Sequence, residues 1–189
     1  MEVAVLLEIF FYVCQDGMTA DQFKKFLSSN LGITNLNSLD GLIKVALQES
    51  CQNVQLITAD AFLKVLSTLL RGNIDERSEL IFKVMDFDND GYLKKTIELK
   101  QLTKESFIVE IAATNPEADP DEPSREMTNY ICDKLGISPQ SPISMTDFKD
   151  KIRKYPQLME SLLPVLPKED VNIIFQKLFT TNVQIPSLV

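Results

Sequence analysis

The sequence predicts an all-α protein of four helix–loop–helix units, arranged as two lobes of paired units with a C-terminal helical extension. Three observations carry this expectation. Residues 86–93 form a polar, turn-forming run, Asp86-Phe87-Asp88-Asn89-Asp90-Gly91-Tyr92-Leu93, after an apolar helical stretch. A short pattern recurs along the chain: an apolar residue, a residue placed to cap a helix, then an aromatic or aliphatic residue one helical turn on. Finally, 189 residues with 44% hydrophobic side chains suffice for one large domain or two small ones with ample core.

The elements follow in order. Apolar periodicity predicts helices at 3–14 and 19–30, flanking Met18-Thr19 with Phe23 behind. Thr19 and Gln22 have the spacing of a capping box. The second unit joins helices at 38–50 and 58–71 through Ile57-Thr58, with Phe62 behind. The third joins 74–85 and 96–112 through Leu93-Lys94, followed by Glu98-Leu99, and obeys the pattern imperfectly. The fourth joins 124–135 and 144–154 through Ile143-Ser144, with Phe148 behind. Each part of the pattern has a packing role. The apolar residue pairs its backbone with the neighbouring unit, the hydroxyl of Thr19, Thr58 or Ser144 caps orphan N–H groups, and the last residue enters the core. The expected pairings are 18 beside 57 and 93 beside 143. These positions are spaced by 39, 36 and 50 residues, so the last link carries an insertion. It runs Asn115-Pro116-Glu117-Ala118-Asp119-Pro120-Asp121-Glu122-Pro123, whose prolines and acids read as a solvated linker. Phe10-Phe11-Tyr12 reads as the aromatic side of the first helix's core contact.

One such unit cannot bury its apolar face alone. The expected organisation is therefore a first pair at 1–72, a second at 73–154, and an extension at 155–189 with helices at 157–163 and 168–179. The extension carries Leu158, Leu162, Leu163, Val165, Ile173, Ile174, Phe175 and Leu178. These need apolar cover, expected from the second pair's own groove or from a partner.

The run at 86–93 is the front half of a calcium-binding EF-hand loop. Asp86, Asp88 and Asp90 take loop positions 1, 3 and 5, Gly91 makes the sharp turn at 6, and Tyr92 offers its backbone carbonyl at 7. On an ordinary register, Ile97 takes position 12, where a bidentate Glu belongs. Glu98 then lies one residue on, rotated by about 100° from the ligand direction. On a loop lengthened by one residue, Glu98 becomes the ligand and Leu99 the core residue behind it, which avoids burying the Glu98 charge. The lengthened loop, 86–98, is the favoured reading. The candidate metal ligands are thus Asp86, Asp88, Asp90, Tyr92 and Glu98, with Ca2+ expected in the third unit alone. Lys94 and Lys95 weaken the local negative field. The other three loops lack the hard oxygen ligands calcium needs: the first (11–22) holds Asp16 and Asp21, the second (50–61) Asp60, and the fourth (136–147) Asp147 behind Pro139 and Pro142.

Composition narrows the function classes. With 19 Lys and Arg against 27 Asp and Glu, the formal charge is −8, which argues against nucleic acid and anionic membrane as partners. The absence of histidine removes Ser-His and Cys-His nucleophiles and His-containing zinc sites, and an enzyme is not expected. Cys14, Cys51 and Cys132 are scattered in apolar stretches and read as reduced, buried thiols of a cytoplasmic protein. The apolar run from Val3 to Cys14 is broken by Glu8 and lacks the positive flank of a signal segment. Glu2 stands where myristoylation requires glycine.

The arrangement resembles the calaxin group, within the neuronal-calcium-sensor branch of EF-hand proteins, over roughly residues 6–180. Its specific parts are Leu69-Leu70-Arg71-Gly72-Asn73-Ile74-Asp75-Glu76, the acidic stretch from Glu117 to Pro123, and Leu158-Met159-Glu160-Ser161-Leu162-Leu163-Pro164-Val165-Leu166-Pro167. The resemblance implies a diverged relative acting in the axoneme of a cilium or flagellum, with outer-arm dynein or its docking complex as partner. Loops two and four of that group carry acidic ligands, and here they do not. The expected role is therefore an adaptor with at most one weak calcium site. The alternative is a single-site calcium sensor acting on a soluble or cytoskeletal target outside cilia.

Overall fold

The computed structural model describes residues 2–50, 55–94, 119, 121–138, 141–159 and 165–184. The expected helix at 96–112, the ligand Glu98 and Cys51 lie outside the described residues, as does most of the expected helix at 157–163. Among the described residues, the helices are α1 (Glu2–Val13), α2 (Ala20–Leu31), α3 (Leu36–Glu49), α4 (Ala59–Arg71), α5 (Ile74–Met85), α6 (Glu122–Leu135), α7 (Met145–Lys154) and α8 (Glu169–Lys177). Two short strands, β1 (Tyr92–Leu93) and β2 (Ile143–Ser144), complete the fold, which is all-α as expected.

Helix starts follow their caps. The Thr19 hydroxyl accepts the Gln22 N–H at 3.2 Å while the Gln22 side chain accepts the Thr19 N–H at 2.9 Å, closing the capping box. Thr58 and Ser144 accept from Ala61 N and Asp147 N, each at 3.3 Å. Each such cap contributes about 1 kcal/mol. Asn35 caps α3 through the Ser38 N–H, so this helix begins at Leu36 rather than at 38. The helix expected from 124 begins at Glu122, because Pro123 sits in the first turn, where its missing N–H has no partner to lose. The end of the acidic insertion is thus helical rather than linker.

The units pair through the expected residues. Met18 and Ile57 exchange backbone hydrogen bonds of 2.9 and 2.8 Å. Leu93 pairs with Ile143 and Tyr92 with Ser144 in the antiparallel ladder of β1 and β2. All four apolar pairing residues are buried, as are Phe23, Phe62 and Phe148 behind them. Phe62 is the hub of the first pair, with ring centroids of Phe10, Phe26 and Phe23 at 5.2, 5.1 and 6.1 Å. Such ring pairs contribute about 0.5–1.5 kcal/mol each beyond area burial. In the second pair, Phe82 meets Phe148 at 5.5 Å. Of the three aromatics expected on the core side of α1, Phe10 alone is buried; Phe11 and Tyr12 are 53% and 93% exposed. Successive helical residues turn by about 100°, so three in a row cannot share one face.

The two pairs meet where α3 packs on α5. Gly41 makes the crossing close: a Cβ there would lie 2.6 Å from Val84 Cγ1 and 2.8 Å from Val84 O. A chain of ion pairs runs beside the crossing. Lys64 pairs with Glu49 at 2.5 Å, Lys83 with Glu49 at 3.7 Å and Glu79 at 3.0 Å, and Lys149 with Glu79 at 2.6 Å. It links α4, α3, α5 and α7.

The last helix of the extension departs from expectation. Instead of filling the second pair's groove or waiting for a partner, α8 packs in cis on α2 of the first pair. Phe175 is buried with its ring 6.0 Å from that of Phe26. The anchor is polar. Asn172 Nδ2 and Gln176 Nε2 donate to the Leu70 carbonyl at 3.0 and 3.4 Å, satisfying the C-terminal end of α4. Gln176 also donates to Asn172 Oδ1 at 2.8 Å and to Gln184 O at 2.7 Å, and it accepts from Arg71 Nε at 2.9 Å. Both amides are buried. The Leu70 carbonyl at the end of α4 is therefore one polar anchor of α8 on the first pair.

Candidate functional site

The third loop begins where α5 ends, with Asp86 as the capping residue of the helix C-terminus. Asp86 is 5% exposed, and its carboxylate curls the loop around itself: Oδ1 accepts the Asp90 N–H at 3.1 Å and Oδ2 accepts the Gly91 N–H at 2.9 Å. Asp88 Oδ1 accepts the Asp90 N–H at 3.3 Å, and Asp90 Oδ1 accepts the Tyr92 N–H at 2.9 Å. The turn needs left-handed backbone at Asn89 (φ 58°) and Gly91 (φ 82°), conformations these two residue types tolerate best. One ligand oxygen from each of Asp86, Asp88 and Asp90 lies within 4.8 Å of the others, and this is the one such acidic trio among the described residues. Tyr92 lies in β1 with its side chain half exposed. The structure thus brings together the carboxylates of Asp86, Asp88 and Asp90, three of the five sequence-predicted ligand residues; Tyr92 adjoins them through its N–H to Asp90, and Glu98 lies outside the described residues.

Two lysines address this loop. The Lys94 ammonium pairs with Asp88 Oδ2 at 3.0 Å and with Asp90 Oδ2. Its hydrogen bonds to Asp90 and Asp88 raise its pKa above the usual lysine value. The same contact from Lys94 holds the Asp88 carboxyl below the usual carboxylate range. From the other side, Lys44 of α3 donates to the Asp86 carbonyl, and Gln48 Nε2 donates to Asn89 Oδ1 at 3.2 Å. Partial burial lowers the Lys44 pKa, while the charges of Asp86 and Asp88 act to raise it. Lys44 and Gln48 carry no signal in the sequence, since they reach the loop from about forty residues upstream through the α3–α5 packing.

Each of the other three loops holds a hydrogen bond between its own residues or to the preceding helix. In the first, Gln22 Nε2 reaches back to Val13 O at 3.3 Å. In the second, Ser50 Oγ donates to Ala46 O at 2.7 Å and accepts from Thr58 N at 3.0 Å, tying the first loop position to the ninth. In the fourth, Ser138 and Ser141 exchange backbone hydrogen bonds of 3.1 Å. Cys14 and Cys132 are buried thiols, and burial raises the Cys14 pKa, so neither the position nor the chemistry suits a nucleophile. Among the described residues, no helix is long and apolar enough to cross a membrane.

No family model matches the chain. Curated proteins do. Calaxin of Danio rerio is 25% identical over 161 residues, covering 85% of this chain and 73% of that protein. Calaxin of Homo sapiens is 24% identical over 162 residues, covering 85% and 72%. A recoverin family protein of Dictyostelium discoideum is 28% identical over 194 aligned residues, covering 93% and 84%. Paired helix–loop–helix units, a third loop curled on its first aspartate, and similarity along most of the chain agree: the chain has the EF-hand arrangement and is similar to calaxins and to a recoverin family protein.

Proposed function

We propose that this chain is an EF-hand adaptor of the ciliary or flagellar axoneme. In this reading it binds a dynein-arm or docking component, and its third loop provides a single weak calcium site. The observation that supports this reading is the contrast between scaffold and loops. The caps, pairing residues and core aromatics of the EF-hand framework are in place, while carboxylates converge in the third loop alone among the described residues. A framework kept without its metal chemistry serves recognition. The acidic chain suits a basic or amphipathic partner segment. The axonemal setting rests on the similarity to calaxins.

The chemistry of the donor set fits calcium: hard carboxylate oxygens on a loop already curled through Asp86 and Gly91. Asp86, Asp88, Asp90, the Tyr92 carbonyl and Glu98 would hold the ion, which when bound would supply positive charge bracing the two ends of the loop. Those carboxylates also favour a second reading, a single-site sensor acting on a target outside cilia. Two measurements test these readings. Calorimetry of the full chain at submillimolar calcium should show at most one site, lost in Asp86→Ala; two or more micromolar sites would overturn the loop assignment. Binding of the tagged chain to purified outer-arm dynein, with calcium or with chelator, should be equal in both for the adaptor. Binding that requires calcium would favour a sensor, and no binding in either would remove the axonemal assignment.

A further inference from the structure

In the other three units, the residue after the apolar pairing residue is Thr19, Thr58 or Ser144, and each caps the following helix. The third unit has Lys94 there, a residue with no acceptor to offer as a cap. Its ammonium instead bridges Asp88 Oδ2 and Asp90 Oδ2. Oδ1 of the same two carboxylates accepts main-chain N–H groups, so Lys94 takes the second oxygen of each. Leu93, immediately before it, is fixed by its pairing with Ile143, which holds the lysine stem next to the loop.

We propose that Lys94 is a tethered counter-ion that closes the third loop in place of a metal and sets the calcium threshold, because its ammonium must leave Asp88 and Asp90 before a divalent cation can be held there. The inference rests on the reading of this loop as a calcium site. An ammonium on the chain is always present at high effective concentration, whereas calcium must be recruited from solution. The lysine also cancels one of the three aspartate charges that would attract the ion. A loop of this kind stays closed at low calcium without the rearrangement that an empty acidic loop undergoes, and it answers only to high calcium.

The test uses the full chain with calcium chloride as the probe, followed by calorimetry and by the thermal midpoint in chelator. Lys94→Gln and Lys94→Met remove the charge at similar length, Lys94→Arg keeps it, and Lys24→Gln on α2 removes one positive charge elsewhere. Lys94→Gln and Lys94→Met are expected to bind calcium about tenfold tighter than the wild type, with a lower thermal midpoint in chelator. Lys94→Arg is expected to bind as weakly as the wild type, and Lys24→Gln to leave affinity unchanged. Equal measurable affinity in wild type and Lys94→Gln would overturn the role of Lys94 and leave the calcium site standing. Binding by Lys94→Gln with none by the wild type would support the counter-ion and remove the calcium role of the native chain. No binding by any variant at millimolar calcium would overturn both.

Discussion

Gln176→Met tests whether the C-terminal helix is seated on the first pair. Methionine keeps the length and much of the volume of glutamine, so apolar packing around position 176 changes little while both amide functions vanish. Asn172 Oδ1, on a 3% exposed residue, loses its donor at 2.8 Å. An orphaned buried acceptor costs about 1–3 kcal/mol. Arg71 Nε loses its acceptor at 2.9 Å, and hydrogen bonds to charged groups contribute about 1.5–3 kcal/mol. Arg71 and Gln184 are accessible enough for water to replace part of this. The Leu70 carbonyl keeps its bond from Asn172 at 3.0 Å. The net loss works out to about 3 kcal/mol, near the low end of the two costs combined. Urea denaturation followed by circular dichroism reads it directly: with a slope of about 2 kcal/mol/M, the midpoint falls by about 1.5 M. Adding Asn172→Leu removes the orphaned Oδ1 but also the bond to the Leu70 carbonyl, so it should not recover the loss. A midpoint for Gln176→Met within about 0.2 M of wild type, equivalent to under 0.5 kcal/mol, would refute the docking of α8 on the end of α4.

Further outcomes follow from the joint between the pairs. Gly41→Ala drives a methyl into Val84, including its backbone oxygen at 2.8 Å, so overpacking of about 3 kcal/mol outweighs the helix-propensity gain of about 1 kcal/mol. Thermal denaturation should show a net loss of about 2 kcal/mol, and an unchanged or raised midpoint would contradict the close crossing. Glu79, hydrogen-bonded first by Lys149 and then by Lys83, has its carboxyl pKa lowered. Its contribution is therefore full above the ordinary glutamate value of about 4.3 and is lost as pH falls below that through the folded value. Melting curves across pH 3 to 6 should fall more steeply in wild type than in Glu79→Gln, and identical slopes would contradict the ion-pair chain.

The parts legible in the sequence are those encoded locally. Thr19-x-x-Gln22, Thr58 and Ser144 announce helix starts because a cap reads only its next three residues. Met18, Ile57, Leu93 and Ile143 announce the pairings because apolar residues beside polar loops need cover from a neighbour. The loop carboxylates were legible for the same reason, their spacing being the spacing of the turn itself. What escaped depends on distant partners. Asn172 and Gln176 read as the polar face of an amphipathic helix, and only the Leu70 carbonyl at the distant end of α4 gives them a buried role. The start of α6 at Glu122 escaped because prolines in an acidic stretch suggest a linker, although the first helical turn accepts one. The aromatic run at 10–12 splits between core and solvent because successive helical residues turn by about 100°.

Lys44 and Gln48 hold the third loop from a helix that belongs to the other half of the molecule. Excising the back half as a stand-alone fragment would strip Asp86 of its support from behind and release Asn89 from its tether. Affinities taken from such a fragment would describe a looser loop with its acidic residues less restrained, more hospitable to cations than the intact chain. The loop has its native electrostatic surroundings only where α3 stands beside it.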